Sequence, residues 1–177
     1  NRVLLLDRGD WVPYYKGQHV KFNIMDRDDQ GVRSLVIKRG DKVVEEIEIR
    51  EKGVVERSFD NCGDYTAYCV MNDGPHSQAC EFAVCDLEFS LPTKVARGTP
   101  WDIELATDNM NAIIVYFKNT GDGYDEHNVF ITEEDRQASK VTIPASVTQN
   151  ADKLQVWLIG ENRYGRLKNR QEVHVID

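Results

Sequence analysis

The chain has 177 residues and a formal net charge of −8, from 22 Lys and Arg against 30 Asp and Glu. Apolar residues make up 41% of it, which is enough for a packed core and too apolar for disorder. An acidic chain without clustered Lys and Arg is not expected to bind nucleic acid, and no apolar run approaches the ~18 residues of a membrane helix. The chain begins at Asn1 with neither an initiator Met nor a signal peptide, so we expect a mature form or a fragment of a longer protein.

The first half of the sequence predicts a succession of strands. Short segments rich in β-branched and aromatic residues recur there, each closed by Gly, Asn, Asp or Pro. Val20, Phe22 and Ile24 alternate with polar residues, as a strand buried on one face requires. The predicted strands of this half are 20–25, 34–38, 43–49, 54–59, 65–71 and 77–84.

The second half repeats this pattern. Its predicted strands are 87–91, 101–106, 112–118, 128–132, 140–143, 154–160 and 171–176. The run Thr132-Glu133-Glu134-Asp135 has the form of a capping box, which predicts one or two turns of helix ending before Ser139. Everything else in this half is strand or turn.

Two halves of similar length and strand content predict a duplicated β-sandwich that divides near Asp86. Residues 1–86 hold 12 basic and 16 acidic side chains, and residues 87–177 hold 10 and 14, so each half carries a charge of −4. The junction, 82–91, contains no Gly, no Pro and no Ser-rich spacer. We therefore expect a short, stiff connection between the two modules.

Two segments resemble known β-sandwich repeats. The run Asp64-Tyr65-Thr66-Ala67-Tyr68-Cys69, followed by a turn and Cys80-Glu81-Phe82-Ala83-Val84, resembles the F–G hairpin of immunoglobulin-like domains. The end of the second module, 157–176, is similar to the last hairpin of bacterial immunoglobulin-like and fibronectin-III-like repeats. The resemblance implies an all-β fold of two consecutive immunoglobulin-like antiparallel β-sandwiches, 1–86 and 87–177, of the kind found in secreted or surface proteins.

All four cysteines, Cys62, Cys69, Cys80 and Cys85, lie in the first module, and they allow three pairings. In an antiparallel hairpin, the numbers of any two facing residues have the same sum. A turn at 72–76 makes this sum 149, which places Cys69 opposite Cys80, with both side chains facing the core. Cys62 and Cys85 then lie diagonally on the other face. We predict the disulfides Cys69–Cys80 and Cys62–Cys85, with four buried thiols as the main alternative and a metal site as a weaker one.

Catalytic and cofactor motifs are not apparent in the sequence, and the chain is predicted not to be an enzyme and to need no cofactor. The scattered histidines are predicted to be ordinary surface residues; they are His19, His76, His127 and His174. The loop Asn119–Glu126 contains oxygen ligands suited to calcium but lacks EF-hand spacing, so it is predicted first as a solvated loop.

The tripeptide Arg-Gly-Asp occurs at 8–10 and again at 39–41. The second copy, Arg39-Gly40-Asp41, lies between two predicted strands, where an adhesion motif at a hairpin tip would project. Gly-Asp at this position is also ordinary turn chemistry, because Gly tolerates positive φ. Turn formation is the favoured interpretation and integrin-type adhesion the alternative.

Two strands of the second module are apolar on both faces. Only one face can enter the core of a sandwich, so the other is expected to form a second apolar patch of Ile114, Tyr116, Trp157 and Ile159. The patch either docks a partner or is covered within the chain, by a loop such as 124–130 or by the other module.

A smaller aromatic cluster, Trp11, Tyr14 and Tyr15, precedes the first predicted strand. It offers rings for stacking on sugars, although packing on its own module is favoured. The sequence as a whole predicts a non-catalytic extracellular or cell-surface spacer, or a protein-contact module for a partner protein or a neighbouring domain of the same polypeptide. The alternative is a carbohydrate-binding accessory module of a secreted enzyme, which would take a polysaccharide through this aromatic cluster or through the Trp157 side of the apolar patch.

Overall fold

The structure, a computed structural model, describes residues 2–25, 31–120 and 125–177. Its strands are β1 (Leu4–Leu6), β2 (Val12–Tyr15), β3 (His19–Ile24), β4 (Val32–Arg39), β5 (Lys42–Glu48), β6 (Gly53–Ser58), β7 (Gly63–Met71), β8 (Cys80–Ser90), β9 (Lys94–Ala96), β10 (Trp101–Asp108), β11 (Ala112–Asn119), β12 (Glu126–Phe130), β13 (Lys140–Ile143), β14 (Lys153–Asn162) and β15 (Gly165–Ile176). A single α-helix within these ranges, α1, covers Glu133–Ala138, and a 3-10 turn covers Ala145–Val147. The all-β prediction is confirmed.

The chain forms two compact units, the first ending at Cys85 and the second beginning at Asp86. The first unit is a sandwich of two sheets. One sheet has the order β1-β3-β6, and its pairs are antiparallel. The other has the order β5-β4-β7-β8, and β2 runs parallel to β8 along its remaining edge. Pro13 is compatible with an edge strand because its missing N–H faces no ladder partner there.

The core of the first unit is centred on the buried ring of Phe82. Rings from both sheets pack against it, including Phe22 from β3 and Tyr65 from β7. The Tyr65 hydroxyl donates a hydrogen bond to the carbonyl of Asn61, four residues upstream. This is the backbone contact that a tyrosine corner makes in immunoglobulin-like sandwiches.

The second unit is also a sandwich. Residues 86–90 of β8 pair with β10, which pairs with β13, and the facing sheet has the order β12-β11-β14-β15-β9. Trp101 of one sheet lies edge-on to Phe117 of the other, with ring centroids 5.9 Å apart. Gly160 of β14 allows close contact between the sheets, because a Cβ there would lie 2.9 Å from both Leu87 Cδ1 and Met110 Sδ.

The predicted capping box is present and starts α1. The backbone N–H of Asp135 donates to the Thr132 hydroxyl, and the Asp135 carboxylate accepts from the Thr132 backbone N–H. The helix ends at Ser139, whose φ of 54° is left-handed. A six-residue helix with both ends satisfied therefore connects β12 to β13.

The predicted register of the β7–β8 hairpin is wrong by two residues. Ala67 and not Cys69 lies opposite Cys80, so paired residues sum to 147. The turn is tighter than expected, because the Met71 N–H donates to the carbonyl of Pro75 and Val70 bridges to His76. The residues between His76 and Cys80 are not paired in the ladder, so the register of β7 against β8 differs from the predicted one.

Candidate contact face of the second unit

Strands β11 and β14 are adjacent near the middle of the five-stranded sheet of the second unit. Successive side chains of a strand point to opposite faces of its sheet. The inward set is buried in the sandwich core and consists of Ile113, Val115, Phe117, Leu154, Val156 and Leu158. The outward set is half-buried and consists of Ile114, Tyr116, Trp157 and Ile159. The four residues of the expected apolar patch thus lie on one outer face.

Cross-strand pairing places these four side chains next to one another in two rows. Ile114 lies opposite Ile159, and Tyr116 lies opposite Trp157. The Tyr116 and Trp157 rings have centroids 5.4 Å apart and are tilted by 47° to each other. Aromatic pairs at this distance stabilise each other beyond the area they bury. The result is a pre-organised pair of rings beside a pair of branched aliphatic side chains.

Phe130 extends this surface, although the sequence indicates it only as the end of a loop, 124–130, that could cover the patch. It lies on the edge strand β12 directly opposite Ile114, and its side chain is 74% exposed. The next residue, Ile131, is buried. Because successive side chains of a strand point to opposite faces, the Phe130 side chain points away from the core. Phe130 is the most exposed large apolar residue in the described part of the chain, and it lies beside an aliphatic row.

Two basic side chains lie beside these rows, on the side away from Phe130. On β15, Lys168 lies opposite Ile159, and Arg170 lies opposite Trp157. Arg170 has no ion-pair partner among the described residues, whereas the nearby Arg166 is paired with Glu161 at 3.1 Å. We call the surface formed by these seven side chains the contact face: Ile114, Tyr116, Phe130, Trp157, Ile159, Lys168 and Arg170.

The aromatic cluster near the N-terminus does not form an exposed platform. Tyr14 is fully buried, lies edge-on to Phe82, and donates its hydroxyl hydrogen bond to Asp7 at 3.0 Å. Burial, with the neighbouring Asp7 carboxylate, raises the pKa of Tyr14. Tyr15 is half-buried, and Trp11 is 47% exposed. Tyr14 thus packs on its own module, as the favoured interpretation has it, and its ring is not available for stacking on sugars, whereas stacking by Trp11 and Tyr15 stays a prediction.

The second Arg-Gly-Asp copy lies at the β4–β5 hairpin, where Arg39 pairs with Lys42 across a two-residue turn. Gly40 has a φ of +58° and is exposed, as is Asp41. The aliphatic part of the Arg39 side chain packs over Gly63, because a Cβ added at Gly63 would lie only 3.1 Å from it. The tripeptide thus provides the turn, and adhesion through it stays a prediction.

The cysteines lie on two faces of the β7–β8 pair. Cys69 and Cys80 are buried and face the core. Cys85 is buried and Cys62 is half-buried, and both face the opposite side. None of the four is in a disulfide in the structure. Burial raises the pKa of the Cys69 thiol to about 11 and also raises that of Cys80. Both thiols therefore stay protonated at neutral pH, since burial disfavours the thiolate.

The histidines have ordinary neighbours. His76 stacks on Tyr68 with ring centroids 4.5 Å apart, and His19 lies 3.0 Å from Glu56. In the part of the chain that the structure describes, no three His, Cys, Asp or Glu side chains are grouped as metal ligands would be. The calcium hypothesis rests on a loop whose residues 121–124 lie outside the described ranges. Neither helix within those ranges has the length and apolarity needed to cross a bilayer.

No protein-family model matches the chain, and no curated protein matches it. Among solved structures, the chain is similar to fibronectin(III)-like modules of Clostridium thermocellum CbhA, with 12% sequence identity, a TM-score of 0.34, and coverage of 97% of this chain and 93% of that one. It is also similar to the FN1–FN3 domains of chicken CNTN1, with 8% identity and a TM-score of 0.33. That match covers 92% of this chain and 62% of the CNTN1 structure.

Proposed function

We propose that this chain is a non-catalytic, extracellular protein-contact module that binds a protein partner through the contact face. The partner surface that fits this face has apolar side chains at its centre and carboxylates at one side. The single observation that carries the proposal is the exposed Phe130 side chain in line with Ile114 and Ile159 and beside the Tyr116–Trp157 ring pair.

The apolar part of the contact face has the composition of a protein-binding hot spot. Trp and Tyr are enriched among residues that dominate binding energy, and they are favoured when neighbouring apolar groups exclude water from them. Here the two rings are already held against each other, so few rotamers are lost on binding. Phe130 supplies the large area that remains exposed to solvent in the unbound chain.

The basic flank specifies the chemistry of the partner. The chain as a whole carries a charge of −8, yet Lys168 and Arg170 border the apolar rows on the side of β15. A carboxylate at the edge of a partner surface would meet Arg170 with two parallel hydrogen bonds, the geometry that the guanidinium favours. A second copy of this chain is a less suitable occupant, because two chains of charge −8 repel each other.

A protein partner is favoured over a polysaccharide at this face. Tyr116 and Trp157 are tilted by 47° to each other, so the two rings do not form one flat platform for a sugar ring. The N-terminal aromatic cluster also offers fewer rings for stacking on sugars, because Tyr14 is buried. Binding of a glycan is retained as an outcome of the experiments.

Photo-crosslinking tests the proposal. A benzophenone amino acid replaces Phe130 in the intact protein in its native cells, and the same probe at Val54 is the control, because Val54 is 61% exposed and lies in the first unit. We expect a protein adduct from position 130 only, mapped to a partner segment that holds Asp or Glu beside apolar residues. Adducts equal at both positions, adducts only to a second copy, or adducts only to glycan would overturn the proposal.

A further inference from the structure

Register places two cysteines opposite each other at the end of the first unit. Gly63 of β7 pairs with Val84 of β8 in an antiparallel ladder. Cys62 precedes Gly63 and Cys85 follows Val84, so continuing this register by one residue sets the two cysteines opposite each other. The shift of the hairpin by two residues therefore turns the expected diagonal pair into a directly facing pair.

The hydrogen bonds of β8 show which type of pair this is. The Lys16 N–H donates to the Cys85 carbonyl at 2.8 Å, and the Trp11 N–H donates to the Glu81 carbonyl at 2.8 Å. The backbone groups of Cys85 therefore point toward β2 and away from β7. Facing residues of this kind are a non-hydrogen-bonded pair, whose Cα atoms lie about 4.5 Å apart. This separation is within the ~4.4–6.8 Å that a disulfide spans.

The other two cysteines have a different geometry. Ala67 lies opposite Cys80, so Cys69 is a diagonal neighbour of Cys80. Diagonal positions are about 7–8 Å apart, at or beyond the ~7 Å limit for bridging without backbone movement. The Cys80 thiol also lies 3.4 Å from the Leu4 carbonyl, to which it can donate. This pair is suited to the core as two small apolar groups.

We propose that Cys62 and Cys85 form a disulfide by exchange with a low-molecular-mass disulfide such as oxidised glutathione, while Cys69 and Cys80 remain thiols. The half-buried Cys62 attacks the glutathione disulfide as a thiolate and releases one glutathione. Cys85 then loses its proton and attacks the Cys62 sulfur, which releases the second glutathione. Two protein thiols are oxidised, and one glutathione disulfide is reduced to two thiols.

This bond would join the residue before β7 to the last residue of the first unit. Residue 85 lies within β8, the strand that continues into the second unit. A covalent link at this point opposes separation of β8 from β7 when the strand is pulled. The inference is independent of the contact face, because no residue is shared between them.

Peptide mapping tests the pairing in the full-length chain. The protein is equilibrated with excess oxidised over reduced glutathione, alkylated under denaturing conditions without reduction, and digested with chymotrypsin. Trypsin is unsuitable because no Lys or Arg lies between Arg57 and Lys94, so all four cysteines stay in one peptide. We expect a linked peptide pair containing Cys62 and Cys85, and alkyl groups on Cys69 and Cys80.

Variants provide the controls. The melting temperature of the wild-type protein is expected to rise on oxidation, because the bond restricts the unfolded chain. Cys62→Ser is the folding-safe variant because Cys62 is only half-buried, and it is expected to abolish both the linked pair and this rise. Cys69→Ser is expected to keep both. A Cys69–Cys80 link in the wild-type protein, or four alkylated cysteines after equilibration with excess oxidised glutathione, would overturn the pairing.

Discussion

Replacing Phe82 by alanine is expected to destabilise the first unit by about 3–5 kcal/mol, the cost of removing a large aromatic side chain from a core. The ring is fully buried and contacts four others, from Tyr14, Phe22, Phe59 and Tyr65, at centroid separations of 5.7, 5.9, 5.6 and 5.2 Å. These rings come from both sheets and the connecting loop, so a cavity there loosens the whole sandwich. No small shift of one side chain can fill it.

Urea unfolding, read by hydrogen exchange and mass spectrometry of peptides from each unit, measures this effect. Peptides of the first unit are expected to unfold at lower urea in Phe82→Ala. Phe130→Ala is the matched control, because the same side chain is removed from an exposed site and stability should change by less than about 0.5 kcal/mol. A loss below about 1 kcal/mol for Phe82→Ala would contradict the description of this core.

Phe130→Ser is expected to weaken binding of the partner by about 30-fold or more, since a hot-spot side chain contributes about 2 kcal/mol or more. Arg170→Glu is expected to weaken it by a similar factor, because a carboxylate would then face the carboxylates of the partner. Binding of wild type should weaken as salt rises, and this dependence should be smaller in the Arg170 variant. Isothermal titration calorimetry against the partner recovered by crosslinking measures both effects.

Val54→Ser is the matched control for Phe130→Ser, because it removes another exposed apolar side chain but from the first unit. Its affinity should equal that of wild type, and melting temperatures should confirm that all three variants are folded. Equal affinities for Phe130→Ser and Val54→Ser would show that the partner binds elsewhere.

Much of the fold could be predicted from alternation alone. The strand containing Val20, Phe22 and Ile24 has a clear period of two, and the capping box at Thr132 marks α1. Strands β1, β2 and β9 were missed because three or four residues carry too little pattern, and β2 also contains Pro13. Such short edge strands depend on the neighbour that they pair with.

The contact face shows the same division between local pattern and tertiary pairing. Tyr116 and Trp157 could be identified because their strands are apolar on both faces. Phe130 and Arg170 could not be assigned to the same surface, because only cross-strand register places them beside those residues. The register of the β7–β8 hairpin was predicted wrongly for a related reason, since the length of a turn is decided by its own hydrogen bonds.

Hydroxyl-radical footprinting of the chain with and without its partner tests the contact face most directly, because radicals oxidise exposed aromatic side chains. Trp11 is the internal reference, being 47% exposed in the first unit. We expect oxidation of Phe130 and Trp157 to fall on binding while that of Trp11 is unchanged. Protection of Trp11 with Phe130 and Trp157 unchanged would contradict the assignment of the binding surface to the second unit.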